Sequence, residues 1–133
     1  MKDNKPSLSD LTAALHKAWS GETSSWGDEW PPDNPARGQC VASSLVVQDY
    51  YGGNLIRFAV RGEEISENHY CNLLDDGTLL DTTRSQYKVP VTLQVHPVTL
   101  AGYASVREKR LDDEETRTRY EVLKRRVDQI LNA

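Results

Sequence analysis

Cysteine is scarce in this chain, two in 133 residues, which excludes the disulfide framework of a small secreted domain. Basic excess is also missing. The 16 lysines and arginines are outnumbered by 20 aspartates and glutamates, for a formal charge of -4, and a dedicated nucleic-acid binder would show a basic face instead. No apolar run approaches the length of a membrane span, and the polar start, Met1-Lys2-Asp3-Asn4-Lys5-Pro6, has no signal-peptide core behind it. A cytoplasmic setting with reduced thiols is therefore expected, with no nucleic acid and no membrane as partner. Internal repeats and low-complexity tracts are absent as well.

What is present suits one domain over residues 1–133, with 38% hydrophobic and 27% charged residues. A chain of this size buries roughly two-thirds of the surface its unfolded form exposes, so neither a lattice of disulfides nor a structural metal is required. Residues 1–6 are expected to be flexible. Leu8, Leu11, Leu15, Ala18 and Trp19 keep helical spacing behind Ser7 or Ser9 and ahead of Gly21, predicting a helix over 8–20. From 24 to 38 the periodicity stops, and Trp26 and Trp30 among three prolines predict an ordered loop. Residues 40–51 are apolar on most sides and end at Gly52-Gly53. Their β-branched content would suit a strand, but the length and the double glycine at a C-cap position favour a buried central helix.

Strands are expected over 55–61 and 90–98, with a turn at 62–64. A hairpin is expected from 69–74 and 78–83 around Asp75-Asp76-Gly77. The segment 113–131 spaces Tyr120, Leu123, Val127, Ile130 and Leu131 as a helix, with acids first and bases late, in keeping with the helix dipole. This order predicts an α+β fold. The closing helix reads as a solvated, charge-laced face, and its apolar stripe offers the alternative of a homodimer contact.

The most informative local feature is Gly38-Gln39-Cys40 at the head of the central helix. Free amides and the dipole at a helix N-terminus favour a thiolate, which makes a cysteine there a better nucleophile. Gln39 is a candidate oxyanion donor together with the Cys40 backbone N–H. The competing interpretation is a small buried apolar cysteine. Cysteine nucleophiles use a histidine base and a group that orients the imidazole. His69 and Asp81 lie on the two arms of the expected hairpin. A three-residue loop with Gly77 left-handed pairs Leu74 with Thr78, Cys71 with Asp81 and His69 with Thr83, which sets His69 and Asp81 diagonally on one face. A two-residue loop would send them to opposite faces. Taken singly, His69 is equally a satisfied core histidine and Asp81 a turn carboxylate.

Four blocks carry a family resemblance: Pro-x-Asn-Pro-x-x-Gly-Gln-Cys over 32–40, Val47-Gln48-Asp49-Tyr50-Tyr51-Gly52-Gly53, Asn68-His69-Tyr70-Cys71-Asn72, and Asp81-Thr82-Thr83-Arg84-Ser85-Gln86-Tyr87. They resemble the YunG-like family of small bacterial proteins, and the similarity continues into the tail from Arg107 to Val127. The resemblance implies a link to papain-like and transglutaminase-like cysteine enzymes. That means a central Cys-headed helix on a small antiparallel sheet, flanked by N- and C-terminal helices, with Cys40, His69 and Asp81 in catalytic order. Cys71 departs from the aromatic residue expected before Asn72.

The expected activity is thus a cysteine-dependent hydrolase or acyl-transferase acting on an amide-like bond in a peptide, protein or small amide, with no cofactor. Peptidase, deamidase and transglutaminase outcomes stay open. Asn72, Gln86 and Trp30 are further candidates around the substrate, the first two for a hydrogen bond to substrate or imidazole. Two other classes remain beside this one. The first is a peptide- or partner-binding module on the same fold. The second is a zinc site built from Cys40, His69, Cys71 and Asp81, whose residue types suit tetrahedral coordination although no paired Cys-x-x-Cys occurs. A transient Cys40–Cys71 disulfide is a further alternative.

Overall fold

A computed structural model describes residues 5–133 as an α+β protein, with four helices and a four-stranded antiparallel sheet. Helix α1 spans Leu8–Ala18 and α2 spans Cys40–Tyr51; strands β1 (Asn54–Gly62), β2 (Ser66–Leu73), β3 (Leu79–Leu80) and β4 (Val91–Val95) follow. Two C-terminal helices, α3 (Val106–Leu111) and α4 (Glu114–Leu131), complete the chain. The strand order is β3-β2-β1-β4. Most of the segment expected to be flexible, residues 1–4, lies outside the described residues. Of the rest, Pro6 accepts a hydrogen bond from the Tyr51 hydroxyl through its carbonyl, and Lys5 sits over the Tyr51 ring.

Helix α2 is central because its sequence leaves it no polar side long enough to face water. Residues Ala42 through Val47 are all buried. One side packs with Leu11, Leu15, Leu123 and Val127 from α1 and α4, and the other brings Leu45 against Leu55 and Tyr70 of the sheet. Two side-chain hydrogen bonds tie polar groups into this core: the Trp19 indole N–H donates to Ser43 Oγ at 2.9 Å, and Asn72 Nδ2 donates to the Ser44 carbonyl at 2.9 Å. Among the described residues no helix is long and apolar enough to cross a membrane.

The hairpin of β2 and β3 has the register that a three-residue loop gives. Asn72 pairs with Leu80 and Leu73 with Leu79, Leu74 N donates to Thr78 O at 2.8 Å, and Gly77 has φ 89°. The expected second arm, 78–83, is shorter than its sequence suggests: the ladder ends at Leu80, so Cys71 and Asp81, and His69 and Thr83, are not ladder pairs. Asp81 Oδ1 accepts from Thr83 N at 3.3 Å, an Asx turn that diverts the backbone into a single 3-10 turn, Arg84–Gln86.

Other elements differ as well, and β2 begins at Ser66, three residues before the expected start of the hairpin arm. Helix α1 stops at Ala18, two residues early, because Trp19 turns extended at its C-cap. Strand β4 ends at Val95 and not at Val98. Helix α3 appears where none was expected, capped by Ser105 Oγ, which accepts from Glu108 N at 3.0 Å.

Candidate active site

Cys40 is the first residue of α2, and its approach is set by Gly38. That glycine has φ 76°, and a Cβ there would lie 2.2 Å from Ser24 Oγ and 2.9 Å from Trp26 Cδ1. Only glycine satisfies both demands. The turn is further tied by Ser25 N donating to Gly38 O at 2.9 Å. Cys40 itself is half-buried, not sealed in the core. Its backbone N–H belongs to the first helical turn, where amides have no partner within the helix.

His69, on β2, is fully buried at 0% exposure. A buried imidazole needs its nitrogens answered, and here both are. Its Nε2 lies 2.8 Å from Asp81 Oδ2, while Nδ1 lies 3.3 Å from Gln86 Nε2. Burial alone would pull the His69 pKa down, but the hydrogen bonds and negative charges of Asp81 and Cys40 outweigh it and push it up to about 9. The ring therefore favours the imidazolium at neutral pH, beside the thiol. Asp81 divides its work between two oxygens: Oδ1 forms the Asx turn and Oδ2 holds the imidazole. The same turn that ends the ladder brings the carboxylate to the ring.

Gln86 adds an opposing influence. Its Oε1 accepts from Arg37 Nη1 at 3.1 Å and faces Gly38 N at 3.5 Å, which leaves its amide nitrogen toward His69 Nδ1. An N–H donor is satisfied there only by the lone pair of a neutral ring. Gln86 thus favours the neutral imidazole that Asp81 and Cys40 disfavour, and it serves the imidazole through a network anchored on Arg37.

Arg37 and Glu67 were not singled out from the sequence, and together with Tyr87, which closes the Asp81–Tyr87 block, they form the frame of the site. Arg37 makes a two-pronged pair with Glu67, at 2.6 and 2.8 Å, and lies 4.5 Å over the Trp26 ring. Tyr87 donates to Glu67 Oε2 at 2.8 Å and meets His69 edge to face at 5.3 Å. Burial would raise the Glu67 pKa, but Arg37 and Tyr87 hold its carboxyl below the usual range. Each member of the pair stands close in sequence to a site residue, although no spacing joins the two. Arg37 sits three residues before Cys40, and Glu67 two residues before His69, an interval that returns to the same face of a strand.

The remaining candidates are spent elsewhere. The Gln39 amide is not an oxyanion donor: it is fully buried, accepts from Thr23 Oγ1 at 2.7 Å and donates to the Ser20 carbonyl at 3.0 Å. It secures the head of α2 to the segment after α1. Asn72 ties β2 to α2 through Ser44, so it holds the histidine strand against the cysteine helix and does not bond the imidazole. The Trp30 indole N–H donates to Pro35 O at 3.1 Å and braces its own loop, whereas Trp26 is the tryptophan beside Gly38.

Cys71 is buried, and its thiol is pushed up to about 12 by that burial and by the charges of Asp81 and Cys40. It stays protonated where Cys40 would act. Among the described residues, no three His, Cys, Asp or Glu side chains are placed to hold a metal ion, so the zinc set of Cys40, His69, Cys71 and Asp81 is not assembled.

These elements define an α+β protein whose central helix begins with a cysteine beside a buried histidine-carboxylate pair. The chain belongs to the YunG family, since the family model described as YunG protein matches residues 7–132. It is similar to a Bacillus subtilis (strain 168) protein named Uncharacterized protein YunG, with 34% identity over 83 residues, 62% of this chain and 65% of that protein. The match thus spans just under two-thirds of that relative's length. No solved structure matches the chain.

Proposed function

We propose that this protein is a cysteine-dependent hydrolase or acyl-transferase of papain-like or transglutaminase-like arrangement, acting on an amide-like bond of a peptide, protein or small amide. The observation that carries the proposal is the buried His69 ring, held at Nε2 by Asp81 at 2.8 Å and raised to a pKa of about 9 in part by Cys40. A structural histidine needs no thiol partner, and a structural thiol gains nothing from a charged ring. Together they suit a thiolate-imidazolium pair.

In the proposed reaction the Cys40 sulfur attacks the carbonyl carbon, and negative charge moves to the carbonyl oxygen, within reach of the unpartnered amides at the head of α2. His69 gives its proton to the departing nitrogen as the C–N bond breaks, leaving a thioester and a neutral ring. Water or an acceptor amine then loses a proton to His69 and attacks the thioester, and the thiolate leaves. Asp81 fixes the ring and stabilises its charged state, while Gln86 favours the neutral state that appears midway.

Iodoacetamide labelling at neutral pH, mapped by mass spectrometry, is the test. Cys40 is expected to be modified rapidly and Cys71 to remain free, because burial shields its thiol and pushes it up to about 12. A thiol-directed activity probe is expected to mark the wild type and to lose all labelling in Cys40→Ala. Labelling of Cys40 no faster than an ordinary exposed thiol would overturn the proposal and leave a binding module in its place.

A further inference from the structure

Cys40 also borders a cavity whose walls include none of His69, Asp81 or Gln86, and those walls have a definite chemistry. Cys40 lines a cavity of about 50 Å³ together with Thr23, Ser25 and Thr116, and with two guanidinium groups, Arg110 of α3 and Arg119 of α4. A cavity of this size has room for about three water-sized groups, which matches the three heavy atoms of a carboxylate. No carboxylate side chain lines it, in a chain where acids outnumber bases.

Neither arginine is neutralised by a close ion pair. Arg110 donates through Nη2 to Thr116 Oγ1 at 3.3 Å and lies 5.7 Å from the Tyr70 ring centre, and its buried Nε has no hydrogen-bond partner among the described residues. Among the described residues Arg119 pairs only with Glu115, at 3.8 Å, and that carboxylate side chain is 83% exposed. Such a surface pair is weak and screened. The other acid nearby, Asp113, feels the charge of both arginines but makes a close ion pair with neither, its Oδ2 capping α4 by accepting from Thr116 N at 3.0 Å and Thr116 Oγ1 at 2.7 Å.

We infer that the substrate of the proposed thiol site carries a carboxylate on its acyl side, adjacent to the carbonyl that Cys40 attacks, and that Arg110 and Arg119 bind it. The inference rests on Cys40 being the attacking group and adds the substrate class. Arginine suits the role because its planar fork matches a carboxylate and its charge survives at any physiological pH. The C-terminal helices acquire a purpose here. They place two cations over the head of α2, where the helix dipole also favours an anion.

Two alkylating reagents separate this inference from the proposal beneath it. Iodoacetate and iodoacetamide both form an S–C bond to Cys40 and release iodide, but only iodoacetate places a carboxylate on the carbon attacked. The rate ratio of iodoacetate to iodoacetamide at Cys40 is expected to fall about tenfold in the Arg110→Gln/Arg119→Gln double variant, as loss of charge-assisted hydrogen bonds implies. Arg119→Gln alone changes a half-buried position of the cavity wall that makes no core contact and should lower the ratio part-way, with the fold intact by circular dichroism. Arg110→Lys and Arg119→Lys should restore most of it. A ratio unchanged from wild type in the folded variants would overturn the inference. Slow labelling by both reagents would instead overturn the thiol-enzyme proposal, and the ratio would still report on the arginines.

Discussion

Asp81→Asn is expected to slow alkylation of Cys40 by about 10²-fold at neutral pH, in line with the loss of a positioned acid-base partner, while the fold stays intact. Asparagine can keep the Asx turn, because its carbonyl oxygen replaces Oδ1 in accepting from Thr83 N. Its amide nitrogen then replaces Oδ2, 2.8 Å from His69 Nε2. An N–H facing that nitrogen demands a lone pair there, which moves the ring proton to Nδ1 and removes the carboxylate that stabilised the imidazolium. The variant therefore has the wrong tautomer with little change in shape. Rates are followed by mass spectrometry, and unfolding in urea checks the fold. An unchanged rate would remove Asp81 from the chemistry and return it to the role of a turn residue.

The second large effect is on stability. The pKa of His69 lies at about 9 in the folded protein, above the ordinary 6.5, so folding favours the charged ring. This contribution is fully present below about pH 6.5 and is lost as pH rises through about 9. The difference corresponds to about 3 kcal/mol. Asp81 and Glu67 face the ring with negative charge and Cys40 with its sulfur, Gln86 opposes its protonation, and Tyr87 contributes a ring edge. Urea unfolding of wild type and His69→Gln across this range is expected to show the wild-type advantage shrinking toward alkaline pH, by up to about 3 kcal/mol. An advantage independent of pH would mean that the ring is neutral throughout.

Much of the site could be read from residue order, for identifiable reasons. Asp75-Asp76-Gly77 specifies a loop with one left-handed residue, and that loop length alone fixed the β2–β3 register. The approach of His69 to Asp81 follows from the same count, but its cause differs from the expectation. A diagonal pair on a ladder was anticipated, and an Asx turn beyond the last ladder pair delivers the carboxylate instead. Side-chain capping of this kind depends on where a strand stops, which periodicity does not report.

Gln39 illustrates a different limit. Adjacency to Cys40 in sequence does not determine direction at a helix start, and Thr23 and Ser20 hold the amide away from the thiol. Helix α3 was detectable from Ser105 and Glu108, a capping pair at the right interval, but of its six residues only Val106 and Leu111 are apolar, both partly buried against the core, which is too few for an apolar rhythm. The Arg37–Glu67 pair joins a loop to a strand 30 residues away. Only the fold shows that these two charges belong together.

The central claim is that Cys40 and His69 act as one coupled unit, and a single titration tests it. Imidazole nitrogen shifts of His69 are followed by NMR against pH, before and after Cys40 is capped with iodoacetamide, which leaves a neutral group on the sulfur. A coupled pair predicts a His69 pKa near 9 in the free protein and a clear fall on capping, with Asp81 alone left to hold the proton. An identical His69 titration in the free and capped protein would contradict the account.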